Sequence, residues 1–266
     1  MLIARLSKSL KFRQVLFLVV LLVVAQLVIE GGKINKLYLP APWDVLVEFK
    51  KCLSENILWS NLLVTLQEFG LGYLIAAVLG IGLGVVFAIF PAIDVFFTPF
   101  FSALMSIPKV SIFPLLTIWI GIGFMQKVVI VTMFTFFYIF FNTKSGASET
   151  HGNYLKVAKV FRATKRQMIF KVMLPSAIPS IFTGLRVTAA IGVTGVIFAE
   201  MQASNAGLGF LLSDAAALYN TPRVFVLIVL VTVLAVVLVA IVDWIERMFF
   251  KKHHRNTSVK SEAAKQ

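Results

Sequence analysis

Three charged residues stand inside otherwise apolar sequence: Lys109 in SIPKVSIFPLLTIWIGIG, Arg186 in TGLRVTAAIG and Glu200 in VIFAEMQAS. An ionisable side chain at membrane depth is costly and marks, by default, a solute pathway or a proton relay. Arg186 and Glu200 are 14 residues apart, about 21 Å along a helix, so they cannot pair with each other and each needs another partner or water. Plainer roles suit the same residues. Lys109 fits an interface beside a phosphate head group, and Arg186 and Glu200 fit helix-end anchors or interhelical hydrogen-bonding groups.

A second chemistry lies between Asn142 and Pro179, in NTKSGASETHGNYLKVAKVFRATKRQMIFKVMLPSAIP. This polar, basic stretch separates apolar runs and is suited to being gripped by something soluble. Asn153 to Arg166 patterns as a short amphipathic helix, with Tyr154, Val157, Ala158 and Phe161 on one stripe and Lys156, Lys159, Arg162 and Arg166 largely elsewhere. Small Ala158 beside larger Tyr154 and Phe161 makes a knob-and-hole surface for another protein. The alternative is an interfacial helix whose basic face lies on anionic lipid.

Catalytic constellations are missing from the sequence. It has no H-E-x-x-H, G-x-S-x-G, paired-cysteine metal site or phosphate loop. Gly80-Ile81-Gly82-Leu83-Gly84 lacks both a preceding strand and a following Lys-Ser/Thr. His253-His254 has no cysteine or carboxylate cluster beside it, so a solvated basic tail is expected rather than a metal site. No catalytic, cofactor-binding or metal-binding residue is expected; the protein must borrow its energy or use a gradient.

The elements that position these residues follow from composition. With 266 residues, 59% hydrophobic and 14% charged, the chain reads as an all-α polytopic membrane protein of about six transmembrane helices. The candidate spans are Gln14 to Ile29, Leu62 to Phe90, Phe97 to Ile120, Val128 to Phe141, Ile181 to Met201 and Val224 to Ile245. The fourth is short unless Lys127 and Asn142 reach the interfaces. The first is expected to be an uncleaved anchor, because its apolar run is long and Glu30-Gly31-Gly32-Lys33 follows it. Cys52, the single cysteine, rules out an internal disulfide and suits a buried apolar position.

The formal charge of +13 would suggest nucleic acid in a soluble protein; here placement matters more. Four basic residues precede the first span, seven lie in 144–171 and six follow from Arg247 onward, all on one side of a six-span topology. Both termini and the large loop are therefore expected in the cytoplasm of a cell with an inner membrane. The expected divisions are 1–30, the N-terminus and first span; 31–61, an outer interfacial segment; 62–248, the transmembrane core including loop 144–178; and 249–266, a disordered basic tail. In the interfacial segment Leu46, Phe49, Leu53 and Ile57 recur at helical spacing, suiting either an interface or packing on other spans. Gly80 and Gly84 form a G-x-x-x-G pair that favours close helix approach. Pro108 and Pro114 must interrupt the third span, and Gly207 to Leu212 suits a shallow re-entrant or interfacial helix.

From Leu39 to about Arg247 the chain resembles the inner-membrane permease of type I ABC importers. The similarity is greatest to the branch serving nitrate, sulfonate and taurine, and related systems for thiamine precursors or riboflavin. The similar passages are LYLPAPWDVL, the T-L-x-E-F-G-x-G-Y of Thr65 to Tyr73, GIGLG, SIPKVSIFPLLTIWIGIG, MLPSAIPSIFTGLRV and VIFAEMQASNAGLGFLL, in matching order and separation. The resemblance implies five or six spans, a dimer with a second copy or a paralogue, two cytoplasmic ATPase subunits that bind the ATP, and an extracytoplasmic substrate-binding protein. It also implies a coupling helix around Tyr154 to Lys165, containing Ala163 and Thr164, seated in the ATPase. Ala158, Val172 and Leu174-Pro175 sit at the spacing of the family's EAA loop, while Lys156 and Arg162 stand where that motif has Glu and Gly. A co-adapted ATPase with a more acidic and roomier groove, a heterodimer whose other permease carries the standard loop, or a decayed copy would each account for the departures. Two other classes compete with an importer: a gradient-driven carrier or channel, and a membrane anchor for a soluble partner. Carriers often break paired helices in related halves, and here Pro108 and Pro114 have no evident counterpart.

Overall fold

The computed structural model describes residues 2–32, 34–149 and 160–263, and these are helical with no strand among them. The helices are α1 (Leu2–Glu30), α2 (Pro42–Ser54), α3 (Asn56–Ile89), α4 (Pro91–Ser106), α5 (Lys109–Ile120) and α6 (Phe124–Ser148). After the loop come α7 (Lys165–Met168), a π-helical turn (Ile169–Met173), α8 (Leu174–Gln202), α9 (Leu208–Ala217) and α10 (Thr221–Ala263). Four continuous helices are long and apolar enough to cross a bilayer: Asn56–Ile89, Phe124–Ser148, Arg166–Gln202 and Thr221–Phe249. The pair α4 and α5, meeting at 90°, makes a fifth if counted as one broken span. The first apolar stretch of the sequence falls in a shorter apolar segment, Leu16–Glu30.

The core is a trio, α3, α6 and α8, whose backbones approach closely because glycines face the seams. A Cβ on Gly80 would lie 2.9 Å from Ile139 Cγ2, and one on Gly84 would lie 2.7 Å from Thr143 Cβ and 2.9 Å from the Phe140 carbonyl. Further along α3, a Cβ on Gly72 would meet the Val128 carbonyl at 2.6 Å. Gly192 and Gly195 of α8 instead seat side chains, the Phe69 ring at 2.8 Å and the Phe134 ring at 3.0 Å. In lipid, where no hydrophobic drive pulls helices together, such contact is a main source of association. Hydroxyls cross the seams to backbone carbonyls: Thr132 donates to that of Gly72 at 3.0 Å and Tyr73 to that of Leu185 at 2.5 Å.

The break expected in the third span falls at Ile107-Pro108, where α4 ends and α5 starts at a right angle. Pro108 has no N–H to continue the ladder and forces its predecessor out of the helical region; Ile107 accordingly has ψ 129°. Pro114 stays within α5 without a break. No residue of α4 is buried. It is held to the trio by rings, with Phe101 4.7 Å from Phe140 and 5.1 Å from Phe87.

Several expectations are corrected. Lys127 does not snorkel to an interface: α6 starts earlier, at Phe124, and Lys127 is buried against Glu68 of α3. The helix α2 ends at Ser54, so Ile57 belongs to α3 rather than to one stripe with Leu46, Phe49 and Leu53. The packed face of α2 is instead Val45, Phe49 and buried Cys52, against a cluster that includes Val226 and Leu227 of α10, while Leu46 and Leu53 are exposed. Beyond Phe249, α10 continues as helix to Ala263; its Lys, Ala, Ser and Glu residues include good helix formers.

The glycine seam gives a direct test. Gly84→Ala is expected to lower the thermal stability of the detergent-solubilised protein by about 1–3 kcal/mol through overpacking. Gly82→Ala, where the added Cβ meets nothing within 4 Å, should leave the unfolding transition unchanged or raise it slightly.

Candidate functional site

The predicted site residues divide between the two ends of the trio. At the loop end, Tyr154, Lys156, Val157 and Ala158 lie outside the described residues. Phe161, Arg162, Ala163 and Thr164 form the corner through which the loop enters α7. Val160 is helical, Arg162 has φ +51°, and Lys165 opens a helix. Thr164 starts that helix by a reciprocal capping box: its hydroxyl accepts from the Gln167 N–H at 3.3 Å, and its own N–H donates to Gln167 Oε1 at 2.9 Å. Left-handed backbone just past a helical residue is the conformation that favours glycine at a helix C-terminus. The resemblance puts a Gly at this position. Arg162 departs from it in the cost of its backbone, about 1–2 kcal/mol, and not by filling internal space, because its side chain is exposed.

Leu174 and Pro175 follow the π turn. The Leu174 N–H bonds the Ile169 carbonyl. This widened turn eases the clash that the Pro175 ring would make with the Lys171 carbonyl in a regular helix. Leu174 packs on Ala147, Ala177 and Ile181, so the loop enters α8 through a packed joint. Beside it Lys144 of α6 donates to Asp94 of α4 at 2.7 Å and to Thr98 at 3.0 Å, on one wall of an open cleft of about 580 Å³.

At the far end Glu200 is 1% exposed. One carboxylate oxygen accepts from the Thr65 hydroxyl at 2.7 Å and the other from the Gly209 N–H at 2.7 Å. Thr65 also accepts from the Leu208 N–H at 2.9 Å, and Asn61 Oδ1 accepts from the Gly207 N–H at 2.6 Å. The first three N–H groups of α9, including its cap, are therefore satisfied by side chains of α3 and α8, with the carboxylate at the positive end of the helix dipole. Both glycines are required here: Gly207 has φ +107°, and a Cβ on Gly209 would lie 2.7 Å from Glu200 Cβ. Glu68 lies within electrostatic reach of Glu200 and pairs with Lys127 at 3.6 Å, the pair being 2% and 4% exposed. Glu48 and Glu55 clamp Arg223 at the start of α10, the latter at 2.7 Å.

Lys109, Arg186 and Glu200 are not brought together. Glu200 joins the network just described. The Arg186 guanidinium is held by two carboxylates of α10, Asp243 and Glu246. Lys109 donates only to the Met105 carbonyl, at 2.5 Å, and has no acidic partner among the described residues. Sequence reasoning missed Glu68, Lys127, Asp94, Asp243 and Glu246 as partners. Glu68 carried a usable signal, since a carboxylate in LLVTLQEFGLGYL is itself an intramembrane charge. Asp243 and Glu246 sat at a span end, where charges are ordinary.

A glycine-seamed bundle with its charges cross-compensated, a right-angled broken span and a basic loop locked into one long helix defines a membrane transport subunit. The chain belongs to the binding-protein-dependent transport system inner membrane component family, whose model matches residues 76–251. It is 29% identical to the formylaminopyrimidine transport permease protein ThiX of Halalkalibacterium halodurans over 88% of this chain and 92% of that protein. It is 27% identical to the taurine transport system permease protein TauC of Escherichia coli K12, over 83% and 82%. Its fold matches a chain of the inward-facing MetNI methionine ABC transporter, with TM-score 0.63 and 20% identity over 73% of this chain and 98% of that one. The protein is a multi-pass transmembrane permease subunit of an ABC importer.

Removing one partner of a buried ion pair leaves an uncompensated charge, at a cost of about 3–5 kcal/mol. Lys127→Met should therefore strongly lower thermal stability, and adding Glu68→Gln should recover most of the loss. A double-mutant cycle in unfolding temperature measures the coupling; additive losses would show that the pair contributes nothing jointly.

Proposed function

We propose that the chain pairs with a second permease copy or paralogue and couples a central solute path to two cytoplasmic ATPase subunits, which bind the ATP. An extracytoplasmic binding protein delivers the solute. The observation that carries this reading is the continuity from the basic loop to the far-end network. The candidate span Arg166–Gln202 runs unbroken from the loop corner to Glu200, so a displacement of the loop is transmitted along one helix packed into the trio. The positive-inside tendency puts the loop and both termini in the cytoplasm and the Glu200 network on the outer side. ATP drives transport only if nucleotide favours one permease state over the other, and such a joint supplies the mechanical link.

The solute is small, of the kind carried in this branch: nitrate, a sulfonate, taurine, or a thiamine-precursor or riboflavin-type compound. Of the three charged residues expected in the path, Lys109 alone has no acidic partner among the described residues, and it sits at the elbow of the broken span. Arg186 and Glu200 spend their charge on α10 and α9. Lys109 is therefore the path residue that meets an anionic solute.

Reconstituted complex, with binding protein outside and ATP inside, should take up one of these solutes, and uptake should stop without ATP hydrolysis. Uptake that follows an ion gradient and ignores ATP would overturn the reading. For an anionic solute, Lys109→Gln should lower uptake about tenfold, the scale of one charge-assisted contact, with basal ATPase activity retained.

A further inference from the structure

The loop corner presents a bare apolar group ringed by cations. Val160 is 79% exposed, Phe161 81% and Phe170 59%. Arg162, Arg166 and Lys171 are exposed around them and have no acidic partner among the described residues. The sequence accentuates this: residues 150–171 hold six basic residues and no acidic one. Exposed apolar groups rimmed by charge mark a protein-docking or membrane-contacting surface; Phe170 lies within the candidate span Arg166–Gln202, whereas Val160 and Phe161 precede it. Docking dehydrates part of the rim, and a cation losing water without a counter-charge opposes binding.

We propose that this surface selects its ATPase by charge, seating in a groove lined with carboxylates. The inference rests on the permease reading and adds the chemistry of the partner. The geometry at Arg162 sharpens it. That side chain is exposed at a left-handed corner, so beyond the cost to its own backbone its replacement of the motif's Gly is presented to the partner. A groove shaped for the Glu- and Gly-bearing form of the loop meets two changes here: a cation at 156 in the sequence and a guanidinium at 162. An acidic groove accommodates both, and it makes the pairing of permease and ATPase salt-sensitive.

The test is retention of the co-expressed ATPase subunit on tagged permease in nanodiscs of purely zwitterionic lipid, at low and high NaCl. Wild type should hold the ATPase at low salt and release it as salt rises. Arg162→Glu/Arg166→Glu should weaken retention about tenfold, as expected for a few surface charges reversed. Arg162→Lys/Arg166→Lys keeps the charge and should retain it, which separates charge from misfolding. Reversing groove carboxylates of the ATPase to lysine should restore the Glu variant. Equal retention by the Glu variant and wild type would overturn charge selection while leaving the importer intact. A loss seen only in nanodiscs containing anionic lipid would assign the basic rim to lipid head groups and overturn the inference too. Absence of any ATPase on wild type at low salt would overturn the permease reading itself.

Discussion

Backbone-to-backbone contact along α3, α6 and α8 is the constraint on which everything else depends. Gly72, Gly80 and Gly84 on α3 leave no room for a methyl group against the backbone or branched side chains of α6, and Gly192 and Gly195 on α8 seat the Phe69 and Phe134 rings. Helices that close have few alternative registers, because sliding by one residue drives a side chain into a backbone. That fixed register puts Glu68 opposite Lys127, Thr65 opposite Glu200 and Tyr73 opposite the Leu185 carbonyl. The polar groups do not assemble the trio; they meet because the trio is already tight.

Charge in this bundle is compensated in place. Arg186, Lys127, Lys144 and Arg223 each meet carboxylates from another helix. Three of these ties join α10, the α3–α6 seam and α4 to the trio or within it, and the fourth closes the α2–α10 corner. Lys109 at the elbow and the cations of the loop corner are left without acids among the described residues.

Much of this was legible beforehand. Long apolar runs gave the helical class, the Gly80/Gly84 pair gave the close approach, and Pro108 gave the break in the third span. The Gly207-Leu208-Gly209 stretch gave the short far-end helix, now α9. The 90° turn was not legible, because a proline says where a ladder stops but not which way the chain leaves. The partners of Arg186 and Glu200 were also hidden, since pairing across 57 or 135 residues depends on helix rotation and register. At the loop the motif spacing marked Arg162 as a departure, but only the backbone showed that its consequence is a positive φ rather than a lost cavity.

If the trio moves as one body between the loop and the far-end network, fixing its internal geometry should not stop transport. Phe134 and Gly195 face each other across the α6–α8 seam, with 3.3 Å between Phe134 Cβ and a Cβ placed on Gly195, a few tenths of an ångström short of the disulfide range of about 3.5–4.5 Å, so a small separation of the helices closes the bond. The measurement is ATP-driven uptake by the Phe134→Cys/Gly195→Cys protein, with Cys52→Ser to remove the native thiol, before and after oxidation. A rigid trio predicts equal uptake in the reduced and cross-linked forms. Uptake that is abolished by the cross-link and restored by reductant would contradict it, and would place the working motion inside the seam.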